Sequence, residues 1–196
     1  MSNYIDDFEH QRELYCTPPH ITKALLRREL FPGRIWEPAA GRGDIVRVLH
    51  ACGYSNVVAS DLYDWGSGYD QVDFLASETQ VDYLITNPPY SLMPEFLTHA
   101  KRVVTYKFAM LLPILVELTK KWMDRHEHDG VFALKACYVF PRSIPWTNVR
   151  SLWGKKKHAW FVFERGFRGQ VIREKILFRR NSTRGGVAAA DGDDEC

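Results

Sequence analysis

Val81-Asp-Tyr-Leu-Ile-Thr-Asn-Pro-Pro-Tyr90 (VDYLITNPPY) reads as a short apolar strand that runs straight into two prolines held between an amide and a phenol. Two prolines remove two backbone donors and fix two φ angles, so the strand must stop at residue 86 and the loop beyond it must be rigid. Asn and Pro are common turn residues, and a plain strand exit would account for them. From average residue usage, however, this tetrapeptide arises in a chain of 196 residues with a probability on the order of one in a thousand.

Outward from this stretch, strand and helix patterns alternate. Upstream, residues 17–30 carry an apolar stripe at Ile21, Leu25, Leu26 and Leu30, with Thr17 placed to cap a helix and prolines in its first turn. A strand at 34–38, a glycine-containing turn over 39–44, a helix over 45–52 and a strand at 56–61 then form a βαβ opening. Downstream, the pattern predicts a helix near 94–102, a strand near 108–113 and an amphipathic helix near 115–125. Strand-like runs at 132–139, 159–163 and 175–178 suit an antiparallel hairpin closing a mainly parallel sheet. The expected organisation is one α/β domain over 1–180, with basic, aromatic loops around 141–170 and a disordered tail over 181–196.

In an open parallel sheet, ligands bind beyond the carboxyl ends of the strands. The residues expected there are mostly acids: Glu37 within Glu37-Pro38-Ala39-Ala-Gly41-Arg-Gly43-Asp44, then Asp61, then Asp73-Phe74. Gly41-x-Gly43 superficially suggests a dinucleotide loop, but position 46 is Val, and a pyrophosphate would meet Glu37 and Asp44. A ligand with cationic groups, ribose hydroxyls and an exocyclic amine fits better, because Asp and Glu are acceptors for all three. S-adenosyl-L-methionine has these features.

In order along the chain, Tyr15-Cys-Thr17-Pro18-Pro, Trp36-Glu37-Pro38-Ala39-Ala-Gly41-Arg-Gly43, Asp61, Asp73-Phe74 and Asn87-Pro88-Pro89-Tyr90 resemble the motifs of S-adenosylmethionine-dependent DNA adenine-N6 methyltransferases. The small orphan enzymes of phages are the nearest likeness, and the resemblance covers about residues 15–115. It implies a Rossmann-like class I methyltransferase fold with a mainly parallel seven-stranded sheet and a C-terminal antiparallel hairpin. It also implies that Thr17 and Pro18 lie at the methionine carboxylate, and that Glu37, Pro38, Ala39, Gly41 and Gly43 line the methionine moiety. Asp61 would take the ribose hydroxyls, Asp73 the adenine amine, and Phe74 would back that ring. A second ring for the target base is expected at Phe163 or Trp160.

The catalytic motif then has a physical reading. The adenine amino nitrogen is a poor nucleophile because its lone pair is delocalised into the ring. Two acceptors, the Asn87 side-chain oxygen and the Pro88 carbonyl, aimed at the two amine hydrogens would favour a tetrahedral nitrogen and stabilise the charge growing there. Pro88 and Pro89 hold that carbonyl without reorganisation, and Tyr90 offers a face on which an extruded base can stack. No histidine base is required.

Composition supports a nucleic-acid partner. The net charge of +2 conceals 12 Lys/Arg against 2 Asp/Glu over residues 131–180. That block is interleaved with Trp146, Trp153, Trp160, Phe161, Phe163 and Phe167, and Lys155, Lys156 and Lys157 form its densest basic run. Cys16, Cys52, Cys137 and Cys196 lack CxxC spacing and read as reduced packing residues, and neither they nor His126 and His128 form a metal pattern. With no apolar leader and no stretch of membrane-spanning length, the expectation is a cytoplasmic monomer, in the host cytoplasm if phage-encoded, bound to neither metal nor membrane. The same tetrapeptide also serves enzymes that methylate RNA base amines or a protein glutamine amide, and an inactive nucleic-acid-binding module is a further alternative.

Overall fold

The computed structural model describes residues 12–114, 131–146 and 156–177. The expected helix at 115–125, His126, His128, Trp153, Lys155, Cys196 and the 181–196 tail lie outside the described residues. In chain order the elements are helix α1 (Pro19–Leu26), strand β1 (Ile35–Glu37), helix α2 (Asp44–Ala51), strands β2 (Val57–Asp61), β3 (Asp70–Gln71) and β4 (Val81–Thr86), helix α3 (Met93–Val103), and strands β5 (Val104–Pro113), β6 (Phe132–Val139), β7 (His158–Arg165) and β8 (Ile172–Lys175).

The strands form one sheet in the order β3-β2-β1-β4-β5-β7-β6-β8. From β3 to β5 every pairing is parallel, and β7 lies antiparallel between β5 and β6. The described sheet therefore has eight strands instead of the expected seven: the addition is the two-residue β3, parallel to β2, while at the far edge β8 lies parallel to β6. That strand also begins earlier than the 175–178 run suggested. Its side chains are mostly exposed, as on a sheet edge, so its sequence carries little apolar signal.

Core packing follows from the pleat, which sends successive side chains to opposite faces. Along β7, Trp160 and Val162 join Ile21, Leu25, Leu49 and Leu111 on one face, while Phe161 and Phe163 join Trp36, Leu97 and Phe108 on the other. A strand covered on both sides is apolar throughout, which is why β7 shows no alternation. Each fully buried Leu or Phe of this kind contributes roughly 1.5–3 kcal/mol.

Helix α1 differs from its expectation at both ends. Pro18, not Thr17, is its N-cap residue, and no side chain caps it. At the other end the helix stops at Leu26, and Leu30 is 73% exposed rather than part of the stripe. The turn after α1 instead sends Glu29 inward, where it is 3% exposed. Glu29 accepts from Lys107 Nζ at 2.7 Å, Lys135 Nζ at 3.0 Å and the Tyr138 hydroxyl at 2.9 Å. Although burial opposes ionisation, the two ammonium groups win and hold this carboxyl below its ordinary range. Trp160 Nε1 donates to the Ile21 carbonyl at 2.8 Å and so ties the first helix itself to β7.

Cys16 and Cys137 are free and buried, in line with the packing role expected of them. Cys52 departs from it in burial: at the C-cap of α2 it is partly exposed rather than sealed in the core.

Candidate active site

The carboxyl ends of β1, β2 and β4 converge on a cavity of about 170 Å³. Its walls include Thr17, Glu37, Pro38, Ala39, Gly41, Asp61, Asp73, Phe74, Asn87 and Pro89. Sequence placed these ten at a site, and the fold brings them to one hollow. Two others support it from behind: Pro18 starts α1, and Gly43 starts α2 in the left-handed conformation at φ 82°. A Cβ built on Gly43 would stand 2.3 Å from the Tyr69 hydroxyl, so the turn admits no side chain there.

Glu37 is the most telling wall residue. It is fully buried, with Oε1 accepting from the Ala39 N–H at 3.0 Å. Burial pushes its carboxyl up to about 8, and the neighbouring Thr86 hydroxyl, whose oxygen meets no other partner, opposes this rise only in part. A buried carboxyl at the wall of a cavity, with no donor beyond a backbone N–H and a neighbouring hydroxyl, marks a place for a cationic donor. Asp61, at the end of β2, accepts from the Gly41 N–H at 2.8 Å and the Tyr63 N–H at 3.0 Å, leaving each oxygen a further acceptor position. Asp73 caps a short 3-10 turn through the Leu75 N–H at 2.9 Å, and its carboxylate stays exposed at the rim. Phe74 lies beneath it, braced edge-on by Trp36 and His99. These donor-seeking walls fit a compound with an ammonium, a ribose and an amine, and they repel a phosphate.

The Asn87-Pro-Pro-Tyr90 loop stands at the opposite lip. Asn87 Nδ2 donates to the Tyr15 carbonyl at 3.1 Å and to Thr17 Oγ1 at 3.2 Å, while the Tyr90 hydroxyl donates to Asn87 Oδ1 at 3.1 Å. Both amide hydrogens are thus spent on the strap before α1, and the Tyr15 carbonyl, which can only accept, fixes which way the amide faces. Oδ1 keeps one acceptor position. Burial raises the Tyr90 phenol well above its ordinary value, so it remains a donor. Pro89 accepts from the Leu92 N–H at 3.1 Å and leads through a single 3-10 turn, Tyr90–Leu92, into α3. The strap is pinned again where the Ser91 N–H donates to Glu13 Oε2 at 3.0 Å and the Ser91 hydroxyl to the same oxygen.

Two expected substrate contacts are corrected. Phe163 and Trp160 have no exposed surface: Phe163 stacks on Phe108 at 4.8 Å inside the sheet's second core, and Trp160 is tied to α1. Residues 158–165 are a central strand, so the basic, aromatic loop segment does not extend through them. The rings actually beside Tyr90 are Tyr15, stacked at 5.6 Å and 16°, and His158, tilted at 5.5 Å. Trp146 touches both Tyr15 and His158, at 5.5 and 5.2 Å. These three were missed. Because β7 runs antiparallel, its first residue, His158, is the one level with the end of β5, opposite Pro113. Strand direction was the signal that could have found it. Lys156 and Lys157, with Arg142, are exposed just outside this ring cluster.

No protein-family model matches the chain, and no curated protein matches it by sequence. Solved structures do resemble it. A Vibrio vulnificus YJ016 protein described as a type I restriction enzyme modification subunit superposes with a TM-score of 0.58 at 12% identity, over 92% of this chain and 52% of its own. The chain thus spans about half of that protein. A Pyrococcus horikoshii protein, PH1948, described as an RNA methyltransferase, gives 0.53 at 15% over 79% and 87%. Magnesium protoporphyrin IX methyltransferase from Synechocystis PCC 6803, solved with bound SAM, gives 0.54 at 11% over 85% and 86%. With acids at the ends of β1 and β2 and an antiparallel β7 closing a parallel sheet, the chain has the Rossmann-like fold of the class I methyltransferases.

Proposed function

We propose that this protein transfers a methyl group from S-adenosylmethionine to the exocyclic N6 amine of adenine in DNA. The observation that carries the reading is the Asn87 amide, held by three hydrogen bonds with its acceptor oxygen at the lip of a cavity whose buried carboxyl lacks a cationic partner.

Glu37 would meet the ammonium of the cofactor, Asp61 its ribose hydroxyls, Asp73 its adenine amine, and Thr17 its carboxylate through the hydroxyl proton that Asn87 leaves free. Bound there, the cofactor supplies an electrophilic methyl group on a sulfonium. Asn87 Oδ1 and the Pro88 carbonyl accept the two N6 hydrogens, draw the lone pair out of the ring and stabilise the cationic nitrogen that results when it takes the methyl group. One N6 proton then leaves to water, so no base is needed. Lys156, Lys157 and Arg142 would contact phosphates, with Lys155 proposed to extend that run.

The claw serves any planar amine, and an RNA base amine is the second reading, favoured by the likeness to PH1948. The deciding experiment is transfer of labelled methyl to unmethylated DNA, with RNA and a bacterial protein extract as parallel acceptors, followed by nucleoside analysis. N6-methyladenine in DNA, lost in Asn87→Ala, is the expected result. Label confined to RNA or protein would overturn the DNA assignment, and no label anywhere would overturn the activity.

A further inference from the structure

Among the described residues, the rings beside the Asn87 loop are in mutual contact. Tyr15 stacks on Tyr90, its ring also lies against Trp146, and His158 closes the circuit by touching both Tyr90 and Trp146. Every neighbouring pair in this circuit is 5.2–5.6 Å apart, the spacing of rings in contact. Tyr15 lines the cofactor-sized cavity, whereas Tyr90, Trp146 and His158 do not. The Tyr15 ring is therefore the partition between the cavity and the other three rings.

A group accepting methyl from that cavity while stacked on Tyr90 must lie where the partition now stands. We propose that Tyr15 is a resident plug: its phenol ring fills the slot between Tyr90 and Trp146 that the extruded base is to occupy, and it rotates out as the base enters. This rests on the reading of the acceptor as a nucleobase amine, although the slot would admit any flat ring.

Two further observations support exchange over a permanent wall. His158 is 2% exposed, its only hydrogen-bonding neighbour among the described residues is the Lys156 backbone, and at least one ring nitrogen is left for the edge of an incoming base. The backbone of the plug is held independently of its ring. Asn87 bonds the Tyr15 carbonyl and Ser91 bonds Glu13, so a change of side-chain rotamer empties the slot without dismantling the strap or the Asn87 acceptor.

The test uses 2-aminopurine riboside, a fluorescent adenine-like nucleoside that is quenched on stacking, with the full chain saturated with S-adenosylhomocysteine. Removing an intramolecular competitor raises apparent affinity by the inverse of the fraction open, so Tyr15→Ala is expected to lower the nucleoside Kd by a factor on the order of ten. Tyr15→Phe keeps the wild-type value, and the gain disappears in Tyr15→Ala/Trp146→Ala. If Tyr15→Ala fails to fold, Tyr15→Leu keeps apolar volume without a stacking face and carries the same comparison. Affinity unchanged or weakened in these variants, or a gain that survives loss of Trp146, overturns the plug. Methyl transfer to DNA, assayed alongside, judges the function separately: transfer without the affinity gain retires the plug alone, and the gain without transfer retires the DNA acceptor alone.

Discussion

At the end of the site proposed for the cofactor, three strand ends surround an open hollow walled by a buried carboxyl; at the end proposed for the acceptor, four rings among the described residues stand in mutual contact. The first half is built from backbone turns and acids fixed by strand geometry, so it is preformed. The second depends on side chains from four distant places, residues 15, 90, 146 and 158, and can be opened by moving one of them. Preorganisation is concentrated where charge must be stabilised, and adjustability where a bulky group must enter.

The largest effect is expected from breaking the one residue both halves share. Asn87→Ala should lower turnover about a hundredfold or more, while S-adenosylhomocysteine affinity, measured by calorimetry, changes little. Comparable loss of cofactor affinity would show that the two halves are not separable at this lip.

Next comes the cofactor half alone. Glu37→Gln should weaken S-adenosylmethionine binding by roughly 1.5–3 kcal/mol, the range for a hydrogen bond to a charged group. It should also stabilise the ligand-free protein. A carboxyl at about 8 in the folded state and near 4.5 when unfolded binds more protons folded than unfolded, so stability falls as pH rises through that window. The expected gain in Glu37→Gln at pH 8 is on the order of 4 kcal/mol, read as a higher thermal midpoint whose decline between pH 4.5 and 8 is flattened. Equal slopes for both proteins would remove Glu37 as their cause.

The acceptor half should respond to acid in the opposite sense. Burial lowers the His158 imidazole to about 4, so its neutral form contributes stability above its ordinary 6.5 that is lost as pH falls towards 4. Replacing it, as in His158→Phe, should make the thermal midpoint less sensitive to acid over that interval. A wild-type acid response in the variant would place the sensitivity elsewhere.

The smallest effect lies outside both halves. Lys156→Ala and Lys157→Ala together should weaken DNA binding uniformly across sequences and reduce the slope of log K against log salt by about 0.9 per lost phosphate contact. An unchanged slope would remove this edge from the nucleic-acid surface.

The contrast between the halves also marks what the sequence could disclose. Glu37, Asp61 and Asp73 were legible because strand ends and short turns are local, and the ligand end of a parallel sheet follows from strand direction. The Asn87 loop was legible from its two prolines. Tyr15 belongs to a legible motif, but its partner ring, Tyr90, lies far along the chain, and local pattern carries no register across that distance. Phe163 and Trp160 were chosen over His158 because β7 is apolar on both faces, which erases the alternation that would have shown depth and side. Thr17 seemed a helix cap because Thr before Pro-Pro usually caps; tertiary structure gave its oxygen to Asn87 instead.

Glu29 and Ile21 bear on synthesis. The turn after the first helix is fastened by Lys107, Lys135 and Tyr138 and the helix itself by Trp160, so in a growing chain the strap ahead of it is held by Asn87 and Ser91 alone until those later strands have left the ribosome. A nascent chain at that point already carries Glu37, Asp61, Asp73 and the whole Asn87 loop, and what it still awaits is the pair of strands that clamp the first helix to the sheet.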